Sequence, residues 1–301
     1  MNKSTSHLSK YKNNNLIRND LDWYQVKKTA VITGTSSGIG FEIALTMARN
    51  AFLTFATMRN LEKGRNLKSI AERKKLPLKL VQLDVTDERS VNNAIQSITT
   101  EANRVDVLVN NAGYALGGPF EDLAMDEIKA QYETNLFGLI RTTQAVLPIM
   151  RRQKSGTIVN ISSGAGRLGY PGGSAYVSTK FAVEGLSESM SYELEPFGIK
   201  VVLVEPGFIK TNFAQAMVIA KKSQDPNSPY SQMMQKTAST SSRLAENGSP
   251  PDLVAKVVLN AVTTQNPNLR YLVGKDVEEW VKTKNSVTDD EFHNMMKNMS
   301  N

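Results

Sequence analysis

Seven short apolar runs separated by amphipathic stretches restrict the fold of this 301-residue chain more than any other feature. The runs are TAVITG (29–34), FLTFAT (52–57), LKLVQLDV (78–85), VDVLVNNAG (105–113), GTIVNISS (156–163), IKVVLVEPG (199–207) and RYLVG (270–274). They are almost continuously apolar, the pattern of strands covered on both faces. The stretches between them, such as GIGFEIALTMARN and DERSVNNAIQSITTEA, have helical character. The second is led by Thr86 as its expected N-cap, with Asp87 and Glu88 in the first turn. Strand and helix in alternation predict an α/β domain with a doubly wound, parallel seven-stranded sheet, helices on both faces and ligands at the carboxyl ends of the strands. The domain is expected over residues 28–285. Residues 1–27 are polar with no apolar period, which predicts a disordered extension, and 286–301 read as a polar tail.

Composition removes several chemistries. The chain has no cysteine, so it offers neither disulfides nor thiolates. Its two histidines, His7 and His293, lie in polar terminal segments, which argues against a histidine triad or a zinc site, and no metal is expected. No apolar run reaches the length of a membrane span, and the N-terminus lacks the apolar core of a signal peptide, so a cytoplasmic protein is expected. The net charge of +7 could suit nucleic acid. The basic residues are scattered through EKGRNLKS, ERKK and RRQK, as on solvated helix faces, and no nucleic-acid partner is expected.

Two local patterns carry chemistry. TGTSSGIG (33–40) joins the first strand to the first helix, where Gly34, Gly38 and Gly40 permit a tight turn and a close approach of backbone N–H groups to a diphosphate. In GSAYVSTKFAVEG (173–185), Tyr176 and Lys180 stand four apart on one helix face. A cation beside a phenol favours the phenolate, so the pair is a candidate acid/base unit in which Lys180 lowers the tyrosine pKa. Taken alone, it could equally be an ordinary surface pair.

With these motifs in order, the chain resembles the short-chain dehydrogenase/reductase family in its shorter, single-domain type. The matches are Thr33-Gly34-x-x-x-Gly38-x-Gly40, LDVTD after the third strand, NNAG at 110–113, Asn135 in TNLFG, Ser163 in NISSGAG, Tyr176-x-x-x-Lys180, and EPG at 205–207 followed by Thr211. They cover about residues 28–275, and EPFGIKVVLVEPGFIKTNF is most similar to the 17β-hydroxysteroid and retinol dehydrogenase-like branch. The resemblance implies a Rossmann-type oxidoreductase with a nicotinamide cofactor and a catalytic tetrad of Asn135, Ser163, Tyr176 and Lys180. Ser163, rather than Ser162, matches the family's spacing to the tyrosine. In the implied roles Tyr176 exchanges a proton with the substrate oxygen and Ser163 holds that oxygen. Lys180 also binds ribose, and Asn135 supports a water reaching Lys180. Asn135 read by itself could instead be a helix-kink or capping residue.

The implied cofactor residues are Gly34, Ser36, Ser37, Gly38, Ile39, Gly40, Arg59, Asp84, Val85, Asn111, Ala112, Gly113, Tyr176, Lys180, Pro206, Gly207 and Thr211. Asp84 could also serve only its turn, and Asn111 only tie strands together. NAD-preferring relatives carry an acid at the end of the second strand. Here that position is Met58, followed by Arg59, which favours NADP(H) with NAD(H) possible. Met58→Asp is then expected to reverse the preference, unless Arg59 only faces solvent.

Residues 208–252 read as a long irregular segment of the kind that forms a lid or binding loop. The resemblance implies that it caps the substrate, a hydrophobic alcohol or ketone, steroid- or retinoid-like in class, with Phe213, Met217, Tyr230, Met233 and Met234 as candidate lining. Helices near 119–153 and 176–196 carry apolar residues on more than one side, and the resemblance implies a homodimer or homotetramer. A dinucleotide-binding sensor or scaffold without catalysis is the alternative reading, and it has no need of Ser163, Tyr176 and Lys180.

Overall fold

A computed structural model of the chain describes residues 28–300. The extension expected over 1–27, with His7, lies outside the described residues. In chain order the elements are β1 (Thr29–Ile32), α1 (Gly38–Arg49), β2 (Leu53–Met58), α2 (Arg65–Arg73), β3 (Leu78–Gln82), α3 (Glu88–Ala102), β4 (Val107–Asn110) and β5 (Leu116–Gly117). They continue with α4 (Met125–Tyr132), α5 (Gly138–Gln153), β6 (Gly156–Ile161), α6 (Ser174–Leu194), β7 (Ile199–Pro206), β8 (Val218–Ile219), α7 (Ser231–Glu246), α8 (Pro251–Thr263), β9 (Arg270–Val273), α9 (Lys275–Ser286) and α10 (Asp289–Ser300).

All seven apolar runs become strands of one parallel sheet, in the order β3-β2-β1-β4-β6-β7-β9. Successive side chains along each strand leave opposite faces, so adjacent residues feed two separate cores. Ala30, Ile32, Val107, Val109, Val202 and Val204 meet Ile43 and Met47 of α1 and Val254 and Val258 of α8. Val31, Phe55, Leu108 and Ile158 point the other way, against Val91, Ile95 and Ile98 of α3 and Val146 and Met150 of α5. Each such side chain contributes about 1.5–3 kcal/mol by leaving water. The chain turns from β1 toward β2 on one side and reaches β4 on the other. This reversal opens a crevice at the carboxyl end of β1.

Three expectations change. The N-cap of α3 is Asp87, whose side chain accepts from the N–H groups of Arg89 and Ser90; Thr86 donates to Asp84 instead. Asp87 stands one residue closer to the helix, and its carboxylate oxygen reaches the orphan donors that the Thr86 hydroxyl cannot. Residues 208–252 are less irregular than they read, because before the Pro-containing stretch the chain contributes β8 to a two-stranded ribbon with β5, and after it forms α7. Only Ala245 of α7 is buried, which explains the weak apolar period. The tail holds α10, packed on α7 and α9.

The sheet is pinned at its base by Asp106. Its Oδ2 accepts from the Thr29 backbone N–H at 2.7 Å and from Arg104 Nε at 2.7 Å, tying the start of β4 to the start of β1. Asp106→Ala leaves the buried Thr29 donor unmet and is expected to cost about 1–3 kcal/mol. Urea unfolding measures it, and an unchanged midpoint would contradict the role.

Candidate active site

The turn after β1 works through missing side chains. Gly34 and Gly38 have φ of +69° and +61°, a region glycine enters without strain. At Gly40 a Cβ would sit 2.4 Å from Asn111 Nδ2 and 2.5 Å from the Gly34 carbonyl oxygen, so α1 comes directly against the end of β4. Ser37 is the N-cap of α1 and makes no side-chain cap, which leaves the first N–H groups of the helix, beside Ser36 and Ile39, available to an anion. Thr211, arriving from beyond β7, faces Gly38. The residues therefore fit a diphosphate held on backbone rather than on side chains.

The walls of the crevice are held by polar side chains. Asn111 Nδ2 donates to the carbonyl oxygens of Thr33 (2.9 Å) and Gly34 (3.0 Å). Thr33 Oγ1 accepts from the N–H groups of Asn111 and Ala112, each at 3.0 Å. Asn111 thus ties β1 to β4, and Ala112 and Gly113 follow along the rim. Asp84 Oδ1 accepts from the Thr86 N–H and hydroxyl, shaping the turn after β3, while Val85 is buried and its carbonyl accepts from Arg141 Nη1. Pro206 ends β7 and Gly207 follows it, and the next N–H, of Phe208, is held by Asp276 Oδ2 at 2.7 Å.

Ser163, Tyr176 and Lys180 are brought to one place. Ser163 follows β6 by two residues and caps a tight turn through the Ala165 N–H. Its hydroxyl also reaches the phenol of Tyr176. Ser162, one residue earlier, faces the interior, where its Oγ is buried. Tyr176 and Lys180 are both buried on α6. Lys180 Nζ donates to the Ile161 carbonyl at 2.8 Å and lies 5.6 Å from the Tyr176 ring centre.

The electrostatics differ from the expected pairing. Burial pushes the Tyr176 phenol up to about 12, with the Ser163 hydrogen bond pulling the other way. Lys180 is not what governs the phenol here, because its ammonium is turned onto the Ile161 carbonyl. Burial also brings Lys180 down to about 8, opposed by the negative charge of Glu184. Desolvation outweighs the nearby charge at both groups.

Asn135 sits in a π turn (Glu133–Phe137) between α4 and α5. Its side chain accepts from the Tyr114 N–H (3.1 Å) and donates to the Tyr114 carbonyl (2.9 Å) and Thr179 Oγ1 (3.3 Å). It therefore fixes the chain leaving Gly113 to the helix of Tyr176. Beneath lies a polar layer that the sequence reading missed. Asn110 donates to Asn160 Oδ1 and Thr143 Oγ1, both at 2.9 Å, and Asn160 donates to Ser187 at 2.8 Å. Asparagine inside otherwise apolar runs, Asn110 in VLVNNAG and Asn160 in TIVNISS, was the available signal.

The lid supplies apolar cover unevenly. The Phe213 ring stands 6.0 Å from that of Tyr176, and Met217 packs with Tyr170 on the same cluster. Met234 lies against Gly172, and Met233 lines a cavity of about 730 Å³ with Tyr170 and Phe292. Tyr230 is drawn away, its hydroxyl bonded to Glu121 at 2.7 Å. Among the described residues no His, Cys, Asp or Glu cluster could hold a metal ion.

The model of a family described as short chain dehydrogenase matches residues 28–222. Human retinol dehydrogenase 8 is 38% identical over 253 residues, spanning 81% of this chain and 80% of that protein. A short-chain dehydrogenase from Streptomyces avermitilis has a similar structure, with a TM-score of 0.78 and 32% identity over 91% of this chain and 97% of the other. The alcohol dehydrogenase of the archaeon Thermococcus sibiricus, solved with 5-hydroxy-NADP, gives a TM-score of 0.68 at 25% identity, covering 82% and 96%.

Proposed function

The chain belongs to the short-chain dehydrogenase/reductase family, and from that premise we propose that it is an NADP(H)-dependent oxidoreductase interconverting a secondary alcohol and a ketone or aldehyde on a hydrophobic small molecule. One observation carries the reading: Ser163, Tyr176 and Lys180 converge in a buried site beside a glycine turn shaped for a diphosphate. The relatives' names support it, one being a retinol dehydrogenase and another an alcohol dehydrogenase holding an NADP derivative. When bound, the nicotinamide supplies or accepts the hydride.

The chain's own residues do the rest. The turn from Gly34 to Gly40, with Ser36, Ser37 and Ile39, holds the diphosphate. Asp84, Val85, Asn111, Ala112 and Gly113 line the adenosine side, and Pro206, Gly207 and Thr211 the nicotinamide side. Ser163 orients the substrate oxygen. Tyr176, protonated at neutral pH and holding its proton more tightly for being buried, donates a proton to a carbonyl oxygen in reduction and takes one back from the alcohol in oxidation. The ammonium of Lys180 compensates the phenolate left behind and reaches toward ribose. Phe213 and Met217 exclude water from the reacting oxygen.

Arg59 follows β2, exposed, and its positive charge acts on the phenol of Tyr114 just beyond Gly113, which supports a role for it at the adenosine side. Met58 is buried against Gly64. A carboxylate at that position would be forced into the core, so Met58→Asp tests the cofactor preference poorly and Arg59→Ala tests it directly. The exposed aromatics Phe137, Phe181 and Tyr192 support a homodimer or homotetramer.

Tyr176→Phe is expected to keep the fold and lower turnover by about 10²–10⁴-fold. Wild-type turnover of a ketone panel, followed at the nicotinamide absorbance, would refute the assignment. Arg59→Ala is expected to weaken NADP about tenfold to a hundredfold and spare NAD, since a hydrogen bond to a charged group contributes about 1.5–3 kcal/mol. The ratio of kcat/KM for the two cofactors reads this out, and a native preference for NAD would show that Arg59 does not reach a phosphate. Light scattering at micromolar concentration is expected to give a dimer or tetramer mass, and a monomer would defeat the oligomer reading.

A further inference from the structure

Two buried carboxyl groups, Glu184 and Glu205, take no part in the catalysis proposed above. Glu205 is fully buried at the end of β7, immediately before Pro206 and Gly207. Glu184 is 6% exposed and stands one helical turn beyond Lys180 on α6. Two arginines bracket them. Arg167, on the loop that follows Ser163, donates from Nη1 to both Glu205 oxygens at 3.1 and 3.2 Å, and its own carbonyl is held by Lys284 of α9 at 2.9 Å. Arg270 of β9 reaches Glu184 Oε2 at 2.9 Å and Glu188 Oε2 at 2.5 Å, and lies 3.5 Å from Glu205 Oε1.

The cluster is unbalanced in one respect. Glu184 Oε1 is buried without any donor, while the two carboxyls converge on one nitrogen, Arg270 Nε, at 2.9 Å from Glu184 Oε2 and 3.5 Å from Glu205 Oε1. Two ionised carboxylates cannot bond to each other, whereas a carboxylic acid can donate to a carboxylate. Both arginines are about 30% exposed, so water screens their charge while none reaches Glu205. We propose that Glu184 and Glu205 hold one proton between them, and that this pair is a positioning device, fixing the helix of Lys180 against the strand that ends at Pro206 just before Gly207. Gly166 leaves the space for it, since a Cβ there would lie 2.9 Å from Glu184 Cγ and 3.2 Å from its Oε1.

The charges facing the pair are Lys180 and Glu188 on α6, Arg167 on the serine loop and Arg270 on β9, with Lys284 of α9 behind Arg167. Burial and the neighbouring Glu184 push Glu205 up to about 7, against the pull of Arg167. A carboxyl raised in the fold contributes stability that is complete below its ordinary value and lost as pH rises through about 7. Because Glu184 also supports the charge on Lys180, the pair links this proton to the proposed catalytic lysine. Only that link rests on the functional reading.

The test uses the full chain. Carbon-13 NMR of glutamate side-chain carboxyls should show one titrating near neutral pH, and Glu205→Gln should abolish it. Thermal unfolding of the wild type should lose stability between pH 5 and 8, and Glu205→Gln, whose amide can donate to Glu184, should lack that slope. Every glutamate titrating in the ordinary carboxylate range, or an unchanged slope in the variant, would overturn the shared proton. With an active enzyme, Glu184→Gln should move the alkaline limb of kcat/KM to lower pH, and an unmoved limb would overturn the link to Lys180. The NMR and unfolding results need no substrate, so an inactive chain that still shows the titration would sink the enzymatic reading and leave the carboxyl pair standing.

Discussion

The clamp between Thr33 and Asn111 is the contact on which the site depends. Neighbouring parallel strands are joined by the sheet ladder, but beyond their last residues nothing in a ladder keeps two chain ends at a fixed distance. Here Thr33 Oγ1 collects two backbone donors from the chain leaving β4, and Asn111 returns a bifurcated amide to the glycine turn. The crevice is therefore a rigid gap with backbone on both sides. Asn135 extends the same logic, linking the segment after Gly113 to Thr179 on the helix of Tyr176.

Above that floor, the chemistry is arranged by burial more than by pairwise charge. Tyr176 and Lys180 are displaced in opposite directions because each would lose hydration on becoming charged. A phenol that holds its proton gives it to a substrate oxygen more easily when the phenolate left behind lies beside a cation, and Lys180, lowered only to about 8, is still largely an ammonium at neutral pH. The buried carboxyls of Glu184 and Glu205 and the part-exposed guanidiniums of Arg167 and Arg270 lie just behind, joining α6, β7, β9 and the serine loop. Buried ions are costly unless paired, and this cost makes the pairing geometrically strict.

Much of this was legible in the letters. The five inner runs named their strands because a strand covered on both faces has no room for alternating polar residues, while the edge strands β3 and β9, only partly covered, were marked by their short apolar runs. The glycine turn could be read for a related reason, as only glycine tolerates both the positive φ and the approach of Asn111 at Gly40. The α3 cap was displaced by one residue, from Thr86 to Asp87, since both types cap well and only the backbone path decides which oxygen reaches the free N–H groups. The helix α7 was hidden because it buries only Ala245 and so carries no strong apolar stripe.

The sequence by itself determined the layered α/β architecture, the crevice at the carboxyl ends of the strands, and the spacing that lets a phenol and an ammonium share one helix face, because all three follow from local periodicity and backbone sterics. The tertiary structure alone decided which way each polar group turned. It set Ser163 toward Tyr176 and Ser162 inward, directed Lys180 to the Ile161 carbonyl, buried Met58 while leaving Arg59 outside, and assembled Glu184 and Glu205 with arginines more than fifteen residues away in sequence. Those choices depend on desolvation and on partners from distant segments, and neither exists until the chain has closed around them.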